Sequence, residues 1–324
     1  MAGGQERVLK RRIKSIQSTK KITKAMELIA ASQIIRAQNR IAAARPYHEA
    51  MARIVLETAT GDEAAAGRLL GTPETIENVA LLSVVADRGL CGAYNSSVFR
   101  ATDRLIAGAE GINYRLFTTG KRAQSYFRYR RQPVEESFAG FSERPTFGAA
   151  QLVTKAIVTP FVEGEVDQVL VVSTRFLSAG SQQVEVRQLL PLVDPREPST
   201  TDTSDGSETV VRAPSSEASE ARAGYTEFEP DAATLLETLA PTAAETEIFA
   251  ALLEASAAEL TARQRAMAAA TDNAEELIKK YSRIMNRARQ DAITTEIMEI
   301  VGGAEALRAG SDDDEGGLMI RSGV

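Results

Sequence analysis

The sequence predicts an α+β chain in which long N- and C-terminal helices wind into an antiparallel coiled coil, with an α/β domain between them. Three observations carry this expectation. From Thr242 to Val301 there is neither Gly nor Pro, and apolar residues recur every three or four positions. A helix over that stretch is roughly 90 Å long at the standard rise, more than one small domain can bury, so it needs a partner helix and projects beyond its globule. A second stretch of the same kind runs from about Gln5 to about Thr58. Between the two the period changes, and short β-branched runs alternate with helical segments.

In the first rod, Leu9, Ile13, Ile16, Ile22, Met26, Ile29 or Ala30, Ile34, Ala37, Ile41, Ala44, Met51 and Val55 follow a three–four alternation. That spacing is a coiled-coil seam more than a broad globular face. Ala25, Ala30, Ala31, Ala37 and the run Ala42 to Ala44 let another helix approach closely. Pro46 has no amide hydrogen and its ring clashes with the preceding turn, so a kink is expected near it.

The middle begins with Val79 to Val85, an apolar run ending in Asp87-Arg88-Gly89. A helix is expected from about Ala93 to Gly108, a strand over Tyr114 to Thr119 closed by Gly120, and helical residues from Lys121. Thr146 to Val162 is again helical, with Pro160 trimming its end. Val169 to Arg175 is a further strand, and Val184 to Leu190 can pair with it as a hairpin. Strands alternating with helices imply a mostly parallel sheet, so residues 75–194 are read as a Rossmann-like α/β domain.

Composition then shifts. Pro195 to Arg222 is rich in Ser, Thr, Glu and Pro and has few bulky apolar residues, too few to offset the entropy of ordering it. Residues 195–224 are read as a disordered acidic insertion. Pro230 and Pro241 bracket the start of the second rod. Residues on or beside its stripe are Phe249, Leu252, Leu253, Leu260, Met267, Ala270, Ala274, Leu277, Ile278, Tyr281, Ile284, Met285, Ala288, Ile293 and Ile297. The coiled-coil helices thus occupy 1–60 and 231–308, and a flexible acidic tail is expected over 309–324.

The totals exclude several classes. No run approaches the ~20 apolar residues of a membrane span. Met1 to Lys14 is basic without an apolar core, so no signal peptide is read there. Cys91 is the single cysteine, which rules out a disulfide within the chain and fits a reducing cytoplasm. The net charge of −6 hides a polarity: twelve Lys and Arg lie between Arg7 and Glu57, whereas Asp194 to Asp231 holds ten acidic residues against three Arg. Blocks of opposite sign mark separate surfaces with separate partners.

Catalytic chemistry has little to stand on. His48, the only histidine, reads as an exposed helix residue and not as a general base. One Cys and one His make no zinc ligand set, and no metal or cofactor is expected. Asp87-Arg88-Gly89-Leu90-Cys91-Gly92 follows a strand and precedes a helix, where phosphate loops sit, but it lacks the full glycine fingerprint. A tight strand-to-helix turn is the favoured reading, with Cys91 as a small buried residue; a nucleotide site is the other. The cluster Lys10, Arg11, Arg12, Lys14, Lys20, Lys21 and Lys24 is either a solvated face or a contact for an acidic partner. No nucleic-acid fold or aromatic platform accompanies it, so an acidic protein is favoured over nucleic acid. At the far end of the second rod, Arg287, Arg289, Gln290, Asp291, Thr294, Thr295, Glu296 and Glu299 lie among Ile293, Ile297, Met298, Ile300 and Val301. A polar ring beside an apolar collar suits a rod held inside a protein sleeve, with an ordinary solvated helix face as the other reading.

These residues resemble a known family. Ile22-Thr23-Lys24-Ala25-Met26-Glu27-Leu28-Ile29-Ala30-Ala31-Ser32 and Arg45-Pro46-Tyr47 look like the N-terminal helix of gamma subunits of F-type ATP synthases, bacterial type. Asp87-Arg88-Gly89-Leu90-Cys91-Gly92-Ala93-Tyr94-Asn95 resembles their central loop. Ala269-Ala270-Thr271-Asp272-Asn273-Ala274 and Asn286 through Ile297, with Val301-Gly302-Gly303-Ala304, resemble their C-terminal helix.

The resemblance implies a non-catalytic rotor shaft. Its terminal helices penetrate a hexamer of alpha and beta subunits, and its α/β domain sits near the epsilon subunit and the ring of c subunits. Proton flow turns the ring and shaft, and the shaft drives the beta sites through their affinity cycle. The implied contacts with beta-subunit loops are Lys20, Lys21, Lys24 and Met26 on the first helix and Arg289, Gln290 and Thr294 on the second. Ile293, Ile297, Ile300 and Val301 are the implied bearing. The complex would sit on the cytoplasmic side of a bacterial cell membrane, with this chain attached only through its partners. The 195–224 stretch is longer than the connection expected in bacterial members and lacks the cysteine pair of the chloroplast insertion, so it reads as a tolerated loop insertion, with a regulatory segment as the other reading. A nucleotide-binding protein or a free-standing coiled-coil scaffold are the alternatives to the shaft.

Overall fold

The computed structural model describes residues 2–61, 73, 75–108, 111–191, 229 and 231–315. Helix α1 (Ala2–Gly61) opens the chain and α5 (Ala232–Glu315) closes it. Between them run β1 (Asn78–Val84), α2 (Tyr94–Gly108), β2 (Asn113–Thr119), α3 (Lys121–Arg130), β3 (Glu136–Phe138), α4 (Phe147–Val162), β4 (Gln168–Phe176) and β5 (Gln182–Leu190). The expected insertion over 195–224 lies outside the described residues, as do residues 316–324 of the expected tail. The helix runs on to Glu315, past the boundary expected near residue 308.

Pro46 lies inside α1, within the rod read from the sequence, and Pro241 lies inside α5 instead of bounding its start. Each is exposed, so the carbonyl deprived of its amide partner faces water and not a dry core. The start of α5 is set by Asp231, whose carboxylate accepts from the Thr234 amide at 2.9 Å.

The chain divides into two compact units, Met26–Met267 and a unit of Met1–Ala25 with Ala268–Val324. The first holds the sheet, in the order β3-β2-β1-β4-β5. Pairs β3–β2, β2–β1 and β1–β4 are parallel, and β4–β5 is the antiparallel hairpin expected from the sequence. Side chains of β1 alternate between two cores. Ala80, Leu82 and Val84 meet Val153, Ile157 and Phe161 of α4 and Ile248 and Leu252 of α5. Val79, Leu81 and Val85 meet Val98 and Phe99 of α2 and Phe127 of α3. Strands buried on both faces read as continuous apolar runs, which is why β1 and β4 were legible. The sequence reading missed β3, because three residues, Glu-Ser-Phe, make no periodic signal.

In this unit α1 and α5 pack antiparallel. Ile34 and Ala37 cluster with Ala257 and Leu260, and Met51 and Val55 with Leu236. Ala37 and Ala257 are buried, and their small side chains bring the two backbones close.

Candidate partner-contact surface

In the other unit the two helices pair through polar groups as well as apolar ones. Leu9 and Ile13 are buried, Arg12 lies over the Tyr281 ring at 5.3 Å, Lys20 Nζ meets Glu275 Oε2 at 3.0 Å, and the hydroxyls of Thr23 and Thr271 share a buried hydrogen bond of 2.8 Å. The sequence reading placed Ile22 on the seam, which is 61% exposed, and left Ile29 or Ala30 open one heptad on, where the structure buries Ala30 and exposes Ile29. The true seam keeps a strict four–three rhythm through Ile16, Lys20, Thr23, Glu27 and Ala30, of which Thr23 and Ala30 are buried and the others half-buried. Hydrophobicity pulled the reading off by one position where the seam residues are polar. Leu277 and Ile284, read on or beside the stripe of the second rod, are also exposed.

These pairs run antiparallel, from Arg12 opposite Tyr281 to Thr23 opposite Thr271. Along α5 beyond Tyr281 a paired face should persist as a three–four stripe and vanish where pairing ends. Burial follows that rule. Ile278, Met285, Ala288 and Ala292 are half-buried on a three–four rhythm, whereas Ile293 and every described side chain after it, to Ala306, is exposed. Among the described residues nothing covers α5 from there on, and Ile293, Ile297 and Ile300, at i, i+4 and i+7, share one face of it. Ile300 is 72% exposed and Val301 is 52% exposed. Gln290 and Thr294 lie one turn apart beside this stripe, and Arg289 precedes Ile293 by one turn; all three are exposed. Exposed apolar stripes of this kind mark surfaces awaiting a partner.

On α1, Lys21 and Lys24 are exposed and Met26 is half-buried. Lys20 is held at the seam by Glu275, so it is not a free cation pointing outward.

The other candidate, the Asp87–Gly92 loop, is a tight turn. Nucleotides bind in the crevice beyond the carboxyl ends of such strands. Here α5 fills that crevice: Leu252, Ala255, Ser256 and Glu259 face Val85, Tyr94, Thr119 and Gly120 across a residual cavity of about 10 Å³, room for about one water. Asp87 is spent on structure, its carboxylate accepting from the amides of Lys121 at 3.1 Å, Gly140 at 2.9 Å and Ser142 at 3.1 Å. Burial alone would raise its pKa, but those amides outweigh it and hold the carboxyl below the usual range. The chain's own carboxylate therefore already occupies the amide at the start of α3. Cys91 is buried against Tyr94 and Ala258, as expected, and burial pushes its thiol up.

Gly120 holds the turn at φ 88°, and a Cβ there would run into the backbone carbonyls of Val85 and Ala86, the latter at 2.7 Å. Gly120→Ala should therefore cost about 2–4 kcal/mol, read as a lower urea midpoint, because neither the dihedral nor the backbone contact can relax cheaply.

His48 departs from its expected exposed role. It is half-buried and its Nε2 meets Glu247 of α5. Sequence offered no signal for this, since the partner lies 199 positions away. Among the described residues there is no group of His, Cys, Asp and Glu that could hold a metal, and no helix is long and apolar enough to cross a membrane.

Known proteins bear on the same features. The sequence matches the ATP synthase family over residues 5–307. It is 43% identical over 318 residues to the ATP synthase gamma chain of a Parafrankia species, covering 95% of this chain and 99% of that one. It is 44% identical over 310 residues to that of a Nocardioides species, covering 93% and 97%. Among solved structures, a chain of the Euglena gracilis mitochondrial ATP synthase (OSCP/F1/c-ring) superposes with a TM-score of 0.65 at 17% identity, covering 99% of this chain and 98% of that one. A chain of the Tetrahymena thermophila enzyme's central stalk and c-ring gives 0.56 at 22% identity, covering 77% and 99%. The matched span holds the Asp87 loop and both rods except residues 2–4 and 308–315, and the chain belongs to the family of ATP synthase gamma chains.

Proposed function

We propose that this gamma chain works as the axle of its ATP synthase: α1 and α5 turn inside the hexamer of alpha and beta subunits, and the α/β domain is carried by the epsilon subunit and the c-ring below. A gamma chain is a non-catalytic subunit of the complex, part of its central stalk. The observation that carries the finer reading is the end of α5, which exposes Ile293, Ile297, Ile300 and Val301. Those residues are the bearing. Apolar contact is non-directional and slides past many angles, whereas fixed ion pairs would lock one.

Around the bearing, Arg289, Gln290 and Thr294 make polar contacts with beta-subunit loops. On α1, Lys21, Lys24 and Met26 face an acidic loop of a beta subunit, and Lys20 holds the neighbouring seam closed through Glu275. The axle's asymmetry then presses each beta site in turn toward a different affinity, which couples ring rotation driven by proton flow to ATP synthesis or hydrolysis. The chain meets the cytoplasmic side of a bacterial cell membrane only through its partners, and it needs no cofactor of its own.

Purification of the intact complex through a tag on the alpha subunit tests the assembly. This chain should copurify stoichiometrically with alpha, beta and epsilon subunits, and the isolated chain should bind neither ATP nor NAD in equilibrium dialysis. Recovery of this chain free of those subunits, or stoichiometric nucleotide binding by it, would contradict the axle reading.

A further inference from the structure

At one edge of the sheet, β5 meets both long helices through six charged side chains. Arg187 of β5 donates to Glu247 of α5 and to Glu185 on its own strand, and it lies 3.9 Å from Glu254 of α5. Arg175 of β4 lies 3.9 Å from Glu185. Glu247 is shared, because its other carboxylate oxygen meets His48 of α1. Among the described residues the cluster sets three carboxylates against two guanidinium groups, and His48, when protonated, adds a third positive charge. His48 faces Glu247 and Glu254 from α5 and Arg187 from β5. On its own helix the nearest charges, Arg45 and Glu49, pair with each other at 2.6 Å on the surface. The side chains of Glu185, Arg187 and Glu247 are only 7–12% exposed, where an uncompensated carboxylate is costly.

We propose that His48 is a proton-operated latch at the joint between the paired helices and the sheet: protonated, it completes the charge balance and holds the joint stiff; deprotonated, it leaves one carboxylate in excess and loosens it. The sign agrees with the surroundings. Burial lowers the imidazole pKa, but the bond and charge of Glu247 outweigh it, so the net value lies above 6.5. Such a group contributes stability in full below pH 6.5 and loses it as pH rises through the folded value. Glu254 acts in the same direction: burial raises its pKa, so its ionisation also opposes the folded joint as pH rises. A stiff joint passes torque and a loose one lets the sheet lag behind the helices; that consequence rests on the axle reading.

Hydrogen exchange on the assembled complex tests the latch, using peptides covering residues 41–55 and 182–190 at pH 6.0 and 8.5, corrected for the intrinsic rate. Wild-type protection should fall about threefold or more between the two. His48→Lys, which keeps its charge, should stay protected at both, and His48→Gln should show the lower protection at both. Equal wild-type protection at the two pH values, or the wild-type pH dependence persisting in either variant, would overturn the proposal. In the same preparations, protons pumped per ATP hydrolysed should fall with pH in the wild type and stay level in His48→Lys; identical profiles would remove the latch from the torque path. Failure of the axle reading is distinguishable, since a label on the chain would then not rotate at either pH.

Discussion

Replacing Arg187 with alanine should destabilise the chain by about 3–5 kcal/mol, because it strips the guanidinium from three carboxylates in a poorly hydrated site. Glu247 loses most. Burial alone would raise its pKa, yet Arg187, with His48, holds it down at about 2. Without Arg187 the carboxylate must either stay charged with its Oε1 stripped of the guanidinium or take up a proton, and both are unfavourable near neutral pH. The comparison that isolates the charge is the triple replacement Arg187→Met, Glu247→Gln, Glu185→Gln, which removes both signs together and should recover more than half of the loss. Urea unfolding of the purified subunit, followed by circular dichroism, reads both. A single variant as stable as the wild type would mean that this cluster is not the tie between β5 and α5.

The second large effect is functional. Lys21 is exposed on α1, and Cys91 is 1% exposed, so a cysteine introduced as Lys21→Cys is the one accessible thiol of the chain. Joined by a disulfide to a cysteine placed in the acidic loop of a beta subunit, it should abolish ATP hydrolysis by the complex, and a reductant should restore it. An axle pinned to its sleeve cannot advance, whereas a static scaffold tolerates the same bond. Retention of more than half of the activity under full cross-linking would speak against α1 moving relative to the beta subunits.

The residues that made the fold legible are those whose burial is apolar and local. Val79 to Val85 announces β1 because both of its faces are covered, and Val169 to Arg175 announces β4 for the same reason. The long helices were legible from period alone. The seam went wrong at Ile22, where the structure buries Thr23 against Thr271 and sets Lys20 against Glu275. No apolar pattern could reveal a seam residue whose partner is polar and about 250 positions away. His48 was misread for the same reason. Pro241 misled because a proline on an exposed face leaves its unpaired carbonyl to water, so the helix survives. The apolar collar from Ile293 to Val301 stood out in sequence; its exposure is visible only in the structure.

The most direct test of the central claim is to watch this chain turn. With the alpha–beta hexamer fixed to a surface through the beta subunits and a gold rod attached to the α/β domain through Tyr129→Cys, at a position 85% exposed, ATP should drive unidirectional rotation in three steps per turn, one for each beta site. A rod that only fluctuates about one angle while the same hexamer hydrolyses ATP would contradict it.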